Sequence, residues 1–451
     1  MTIDLKIKDP SNALFDHSSV ALKKALLGDL SDWQALLAEN SEIDGLNLIY
    51  SYHDNNLIQI TQDERGRPTL SWLIRHSRSS ASYRRGSLSN ADLVLSELWR
   101  NLQRKVTSLL QARSRDLPDE GYALYFTEEL SWCIVFSYKF SGNAAIARVV
   151  HCTKSPQSVY DIFALPHMSD EHTRTVVKNV VRSKSKVIIH RRVLIEVDRY
   201  IEESVFGPTI DTLYLNEFVS RLFSKQLNLI EHKHVTAAME IGCGNGLLTT
   251  GLANYCSNLK RLVAVDTEVQ AIHCTARNVR NVLKKNNNIS FYGIVGEFTG
   301  DLLSNKFDIV LSNPPYLPYK DNIIEGDENS QRIAIKGTEL IEEIVKNSPF
   351  YLSPDGALII VYSDLAEQEL KDSIPEGMWF TPANNYMGYR VLFDLEDVMD
   401  NPKWLNFLIS RGLEHDSSSS VYHHRLKIGI ITHEGTQTSR EKSISQAMID
   451  L

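Results

Sequence analysis

Nowhere in the 451 residues do about eighteen apolar positions run together, so no segment reads as a membrane-spanning helix. The opening stretch, Met1 to Pro10, has no uninterrupted apolar core, because Asp4, Lys6, Lys8 and Asp9 break it; that argues against secretion. Cysteine is scarce and unpaired in pattern. The five residues Cys133, Cys152, Cys243, Cys256 and Cys274 include no C-x-x-C pair, which speaks against a disulfide framework and a structural zinc site and fits a reducing compartment. Positive charge is also short: Lys and Arg number 48 against 56 Asp and Glu, a formal charge of -8, so the chain as a whole does not attract phosphate backbones or anionic membranes. These absences leave a soluble, cytoplasmic protein whose 43% hydrophobic content and length suit two or three domains.

What is present divides into two halves. From Ser18 to Leu37 apolar residues keep a helical period, and Leu93, Leu98, Leu102, Val106 and Leu109 repeat that period further on. Between them lies a Ser/Arg-rich stretch, Arg75 to Ser89. Tyr122 to Phe126, Trp132 to Phe140 and Ala145 to Val150 read as strands, the last two joined by the turn Ser141-Gly142-Asn143. A helical stretch around Glu171 to Val181 and a basic linker, Arg182 to Lys186, follow. We therefore expect an α+β domain over residues 1–195, with the boundary between Val181 and Val205.

Residues 196–440 alternate helix and strand, the pattern of a doubly wound α/β sheet, and 441–451 form a tail. Expected strands are Ala237 to Ile241, Arg261 to Asp266, Ile289 to Val295, Phe307 to Ser312 and Gly356 to Tyr362, with Arg390 to Leu395 and Leu426 to Thr432 closing the sheet. Pro402 to Leu413 reads as a helix between those last two.

Two motifs carry chemistry. The first strand of this half runs into Glu240-Ile241-Gly242-Cys243-Gly244-Asn245-Gly246, an E-x-G-x-G-x-G turn opening a helix. Glycines there let backbone approach a ligand and leave helix N-terminal N–H groups free. The next strand ends in Asp266, whose carboxylate can accept both hydroxyls of a ribose. Together they describe a nucleoside site; without Asp266, a tight turn with incidental glycines would be the better reading. The second motif, Asn313-Pro314-Pro315-Tyr316, follows the fourth strand at its carboxyl end, where doubly wound folds place ligands. A Pro-Pro turn that merely ends a strand is the bland alternative.

The G-x-G-x-G form preceded by Glu240 resembles the first motif of Rossmann-like class I methyltransferases, and Asn313 to Tyr316 resembles the N-P-P-Y motif of those that methylate planar nitrogens. The resemblance implies a seven-stranded sheet and S-adenosylmethionine (SAM) as cofactor. It implies that Gly242, Gly244 and Gly246 line the methionine and ribose, that Glu240 organises the amino group, that Asp266 holds the ribose and that Glu297 reaches the adenine amine. Asn313 would meet both cofactor and acceptor. The chemistry accounts for the residue types: an amide or aryl-amine lone pair is delocalised, and two acceptors, the Asn313 side-chain oxygen and the Pro314 carbonyl, can hold its N–H groups and stabilise positive charge as it develops. Prolines stiffen the loop. Tyr316 can stack on a flat acceptor group. Pro315 and Tyr319 are further candidates for the acceptor pocket.

From about residue 200 to 365 the chain is similar to the protein-glutamine N-methyltransferases that modify release factors or a ribosomal protein. Phe206 to Thr212 stands where that family has P-R-P-[ED]-T-E, and Lys336-Gly337-Thr338-Glu339-Leu340 where it has a G-x-D-G-L-like segment. Thr209 replaces the family's Arg, Ile210 its second Pro and Leu213 its final Glu, so Pro208, Asp211 and Thr212 carry over. The expected activity is N-methylation of a protein or small-molecule acceptor, with the first half recognising it. The rival is a nucleic-acid methyltransferase for an exocyclic amine, with Arg75, Arg78, Arg84 and Arg85 on phosphates. A non-catalytic SAM-fold partner-binding module is the reading from another class. His423-His424 and His232-Lys233-His234 lack companions at ligand spacing, so no metal is expected.

Overall fold

The structure is a computed structural model that describes residues 47–52, 56–62, 68–69, 102–126, 130, 133–142, 144–153, 179–180, 183, 185–198, 205, 208–223, 235–285, 288–297, 306–318, 338–383, 390–393, 402–416 and 421–434. The helical pattern at Ser18 to Leu37, the Arg75 to Ser89 stretch, Tyr319, Lys336, Gly337 and the 441–451 tail lie outside the described residues. The chain divides into two compact units, Met1–Tyr200 and Ile201–Leu451.

In the first unit, β1 (Asn47–Tyr52), β2 (Asn56–Gln62) and β3 (Pro68–Thr69) form a small antiparallel sheet absent from the sequence reading. The helix at residues 102–111 (α1) precedes β4 (Glu120–Phe126), β5 (Cys133–Ser141), β6 (Ala144–Thr153), β7 (Ser185–His190) and β8 (Val193–Asp198). These five strands pair in the order β6-β5-β4-β7-β8, with β4 and β7 parallel. Gly142, at φ 60°, turns the β5–β6 hairpin at the expected place. Side chains tie α1 to the sheet: Gln103 Nε2 donates to the Ala147 carbonyl (2.8 Å) and Gln111 Oε1 accepts from the Ala145 N–H (2.6 Å). The β7–β8 hairpin begins in the stretch read as a basic linker and continues past residue 195. Val187, Ile188 and Ile189 are all buried, so β7 is covered on both faces and shows no alternation that would announce it.

The second unit opens with α2 (Ile210–Leu222) and then alternates: β9 (Ala237–Ile241), α3 (Leu247–Tyr255), β10 (Arg261–Asp266), α4 (Val269–Lys285), β11 (Ser290–Val295), β12 (Phe307–Ser312). Helices α5 (Glu339–Lys346) and α6 (Ser348–Tyr351) lead into β13 (Leu352–Ser363). After it come α7 (Glu367–Asp372), β14 (Met378–Pro382), β15 (Arg390–Phe393), α8 (Pro402–Ser410), β16 (Glu414–Asp416) and β17 (Val421–His433). The sheet runs β11-β10-β9-β12-β13-β17-β14, parallel through β13 and antiparallel at β17. Seven strands were expected; among the described residues the sheet has nine, because β15 and β16 also pair with the first half of the long β17. Order and direction make this a doubly wound, Rossmann-like sheet.

Burial explains the strands. β9, central in a parallel sheet, is buried along its whole length, and β13 is buried from Gly356 to Ser363. Met239, Val263, Val265, Val310, Leu358, Ile360 and Ile431 pack against Ile341, Ile344 and Tyr351 in one core. At the amino end of the strands the Asp308 carboxylate accepts from the Thr236 N–H (2.7 Å), the Ala237 N–H (3.0 Å) and the Ser353 hydroxyl (2.9 Å), joining β9, β12 and β13. At the carboxyl end Ser312 Oγ donates to the Ile241 carbonyl (2.9 Å). Helix α2 closes on α3 through Gly251, where an added Cβ would lie 2.6 Å from Asn216 Oδ1.

Candidate active site

The sheet brings the two sequence motifs together. Ser312 pairs with Ile241, so the residues that follow each, Asn313 and Gly242, leave neighbouring strands at the same end of the sheet. Asp266 and Val295 pair one strand and two strands further out, which places Glu297 beyond the end of β11, exposed.

Backbone conformation makes the first motif a turn: Gly242, Gly244 and Gly246 have φ of 71°, 48° and 80°. Gly246 is also demanded by packing, since a Cβ there would meet Thr275 Cα at 2.7 Å. A Cβ on Gly242 would meet nothing within 4 Å, so open space adjoins the loop at that point. Helix α4 fastens the turn. Thr275 Oγ1 donates to the Gly244 carbonyl (3.2 Å), and Asn278 Nδ2 donates to the Asn245 carbonyl (2.8 Å). Asp266 accepts from the Gly244 N–H at Oδ2 (2.9 Å) and from the Glu268 N–H at Oδ1 (3.0 Å). Each oxygen keeps a further lone pair for another donor. Glu240 is buried within β9 and accepts from the Thr249 hydroxyl; burial pushes its carboxyl up to about 8.

The second motif is held by different means. Asn313 is partly exposed, Pro314 buried, Pro315 exposed and Tyr316 partly exposed. Asn313 Nδ2 donates to Thr212 Oγ1 (2.9 Å), and its Oδ1 is shielded from solvent with no hydrogen-bond partner. An orphaned buried oxygen costs about 1–3 kcal/mol unless something binds it. The Tyr316 hydroxyl donates to Asp211 Oδ2 (2.7 Å). Burial raises the Asp211 carboxyl above its ordinary range, against hydrogen bonds that lower it. The Tyr316 ring lies 5.7 Å from that of His424, on β17.

Three residues at this end escaped the sequence reading as members of the site: Asp211, Thr212 and His424. The first two stood out as survivors of a family pattern, with no role attached. His424 was set aside, yet its signal was available: it keeps phase with Leu426, Ile428 and Ile430, all buried, against Arg425 and Lys427. Its Nδ1 meets Ser363 Oγ at 3.0 Å, and burial lowers its pKa to about 4, so the ring is neutral. Among the described residues no group of His, Cys, Asp and Glu could hold a metal ion, and no helix is long and apolar enough to cross a membrane.

Comparison with known proteins gives this site its context. The family model "Methyltransferase small domain" matches residues 218–386. A Methanocaldococcus jannaschii protein provisionally named as a protein N5-glutamine methyltransferase is 33% identical over 174 residues, 38% of this chain and 77% of that protein. The chain belongs to the class I SAM-dependent methyltransferases. The release factor glutamine methyltransferase of Pasteurella multocida is 22% identical over 199 residues, 41% of this methyltransferase and 64% of the relative. The tRNA1(Val) (adenine(37)-N6)-methyltransferase of Pseudoalteromonas atlantica is 26% identical over 155 residues, 34% and 58% of the two chains. Of these last two relatives the matched segments span less than two thirds. SAM is the methyl donor. The site fits that group: open space lies beside Gly242, Asp266 has spare acceptor capacity at a strand end, and a buried acceptor oxygen waits at Asn313.

Proposed function

We propose that this methyltransferase alkylates the side-chain amide nitrogen of a glutamine in a protein acceptor. The observation that carries the reading is the state of Asn313: one end of its amide is anchored on Thr212, and the other is a buried oxygen with nothing bound to it. A primary amide presents two N–H donors, and a positioned acceptor for each is what such a nucleophile requires. Asn313 Oδ1 takes one, and the carbonyl of buried Pro314 takes the other. The Asn313 oxygen is shielded from solvent.

Bound at the glycine turn, SAM supplies an electrophilic methyl group on a sulfonium. Gly242, Gly244 and Gly246 would give its methionine and ribose backbone to lie against, Asp266 would take the ribose hydroxyls, and Glu297 would take the adenine amine. Glu240, protonated at neutral pH by burial, ionises when an ammonium group comes to it. As the C–N bond forms and the methyl–sulfur bond breaks, leaving a neutral thioether, positive charge grows on the attacked nitrogen. Asn313 Oδ1 and the Pro314 carbonyl stabilise that charge, and the nitrogen, made acidic by alkylation, gives its proton to water. Tyr316 stacks on the flat amide, with Pro315 and Tyr319 as further pocket candidates. The first unit, residues 1–195 in the sequence reading, is the candidate for recognising the acceptor.

The same pair of acceptors suits the exocyclic amine of adenine, and a relative named for tRNA adenine methylation supports that second reading. One experiment separates them: incubate the protein with methyl-labelled SAM and, in parallel, a recombinant bacterial release factor, a recombinant eRF1 and total tRNA. Label on a glutamine of either protein supports the proposal. Label confined to tRNA, with binding that weakens steeply as salt rises, replaces it with the nucleic-acid reading.

A further inference from the structure

Pro314, Pro315 and Pro318 carry no N–H, so the loop that follows β12 is tied by groups that reach its carbonyls and side chains. Its near end is held at Asn313 and Tyr316 by α2. Its far end is held by α8, which lies beyond the segment that the family model matches. Trp404, 6% exposed on α8, donates its indole N–H to the Pro318 carbonyl (3.1 Å), 86 residues earlier in the chain. A buried indole N–H and a buried carbonyl each need a partner, and each is supplied by the other. Leu317 packs against the apolar cluster that Trp404 forms with Leu365, Leu408 and Leu413. Arg411, just past α8, donates to the Leu365 carbonyl (2.9 Å) and pairs with Glu369, which fastens that end of the helix to the segment after β13.

The strands around α8 bring a second hold to the same loop. β13 ends at Ser363, opposite Leu426, so Val421 to Arg425 of β17 continue past the carboxyl end of β13, an overhang of roughly 17 Å at about 3.4 Å per residue. β15 and β16 pair with this overhang, and it carries His424, whose ring lies 5.7 Å from that of Tyr316. Tyr422, two residues earlier, packs against the cluster that receives Leu317. The loop is therefore met from downstream at Tyr316, Leu317 and Pro318 in succession. Resting on the functional reading above, we propose that Trp404 is a positioning residue for the acceptor: its hydrogen bond to the Pro318 carbonyl, with Leu317 seated beside it, braces the loop two residues beyond Tyr316 and so fixes where the tyrosine ring meets the acceptor group. Asn313 has its own anchor on Thr212, so the brace governs how the acceptor is seated more than how its nitrogen is activated.

The test uses the full chain and two variants. Trp404→Phe keeps an aromatic ring in the cluster and removes the N–H; Leu317→Ala loosens the same contact from the loop side, where a fold defect is least expected. Hydrogen exchange of the peptide spanning Asn313 to Pro318, read by mass spectrometry without any acceptor, should be at least about threefold faster at the Tyr316 and Leu317 amides in both variants. With whichever of the release factor, eRF1 and tRNA takes label, acceptor KM should rise about 5- to 10-fold in Trp404→Phe and about 2- to 4-fold in Leu317→Ala, the size of one lost hydrogen bond or a partial apolar contact. In both, kcat should stay within about threefold and SAM affinity within about twofold, a split that a purely structural tryptophan would not produce. Unchanged exchange in both variants overturns the brace, as does an acceptor KM that stays put while only the Tm falls, or a loss shared by kcat and SAM affinity. The same KM rise with tRNA as the labelled acceptor upholds the brace and counts against the glutamine reading alone. If none of the three takes label, the exchange result decides the brace and the glutamine reading fails separately.

Discussion

The two halves of the site reach rigidity by opposite routes. On the donor side the glycine turn is fastened by the strand and helix that follow within the same βαβ unit: Asp266 holds the Gly244 N–H across 22 residues, and Thr275 and Asn278 of α4 hold its carbonyls across about thirty. On the acceptor side Asn313 and Tyr316 are held by Thr212 and Asp211, 101 and 105 residues upstream, and touched by His424 from far downstream. The donor side leaves open space beside a closed hydrogen-bond network; the acceptor side leaves one buried oxygen unmatched. The difference teaches that a common cofactor can be met with a self-contained local unit, while the acceptor side is assembled from segments distant in the chain.

The sharpest way to break this comparison is Asn313→Ala. If catalysis resides on the acceptor side, turnover falls by about 10²–10³, the size of effect seen when one preorganised charge-stabilising partner is lost, while SAM affinity by calorimetry stays within about twofold. A parallel fall in SAM affinity would show that the two sides are not separable. On the donor side Gly246→Ala should cost about 2–3 kcal/mol of stability, from the positive φ and the overlap with Thr275, read as a lowered Tm at unchanged acceptor chemistry. Asp266→Ala removes an acceptor from two backbone N–H groups as well as from the proposed ribose site. Its SAM affinity should drop by roughly 10- to 100-fold, with turnover at saturating SAM preserved.

These contrasts mirror what could be read along the chain. The spacing of Gly242, Gly244 and Gly246 and the acid closing the next strand are one βαβ unit, so sequence order is spatial order there. Asn313 to Tyr316 was equally plain because its loop chemistry is contained in four residues. Thr212 and Asp211 were visible as residues and invisible as partners, since no local pattern says that the first turn of α2 meets the end of β12. His424 was weighed only as a metal ligand because histidine carries no strong burial preference of its own, and its neighbour His423 instead meets Glu414 at 3.0 Å. β14 was missed for another reason: Gly377 and Pro382 bracket Trp379 and Phe380 closely enough to read as loop.

Two smaller effects sharpen the contrast. Glu240, pushed up to about 8, is mostly protonated at pH 7 without ligand; if an ammonium group settles beside it, its pKa falls and a proton is released. SAM affinity should then tighten as pH rises from 6 toward 8, by up to about tenfold per unit, and calorimetry in buffers of differing ionisation enthalpy should detect the proton. Asp266 and Cys243 face the same carboxyl, and a pH-independent affinity would remove Glu240 from the donor side. His424→Ala should weaken acceptor KM by only a fewfold, matching about 0.5–1.5 kcal/mol for a ring pair, and leave kcat nearly intact.

β17 does two jobs with one uninterrupted stretch of backbone. Its second half zips onto β13 and β14, and its first half, bearing His424 beside Tyr316, is gripped by β15 and β16. A gene trimmed at residue 386, where the matched family segment stops, would expose the whole flank of β13 to any passing strand and strip one wall from the tyrosine. The smallest fragment worth expressing must therefore extend through His433, however conventional the shorter piece looks.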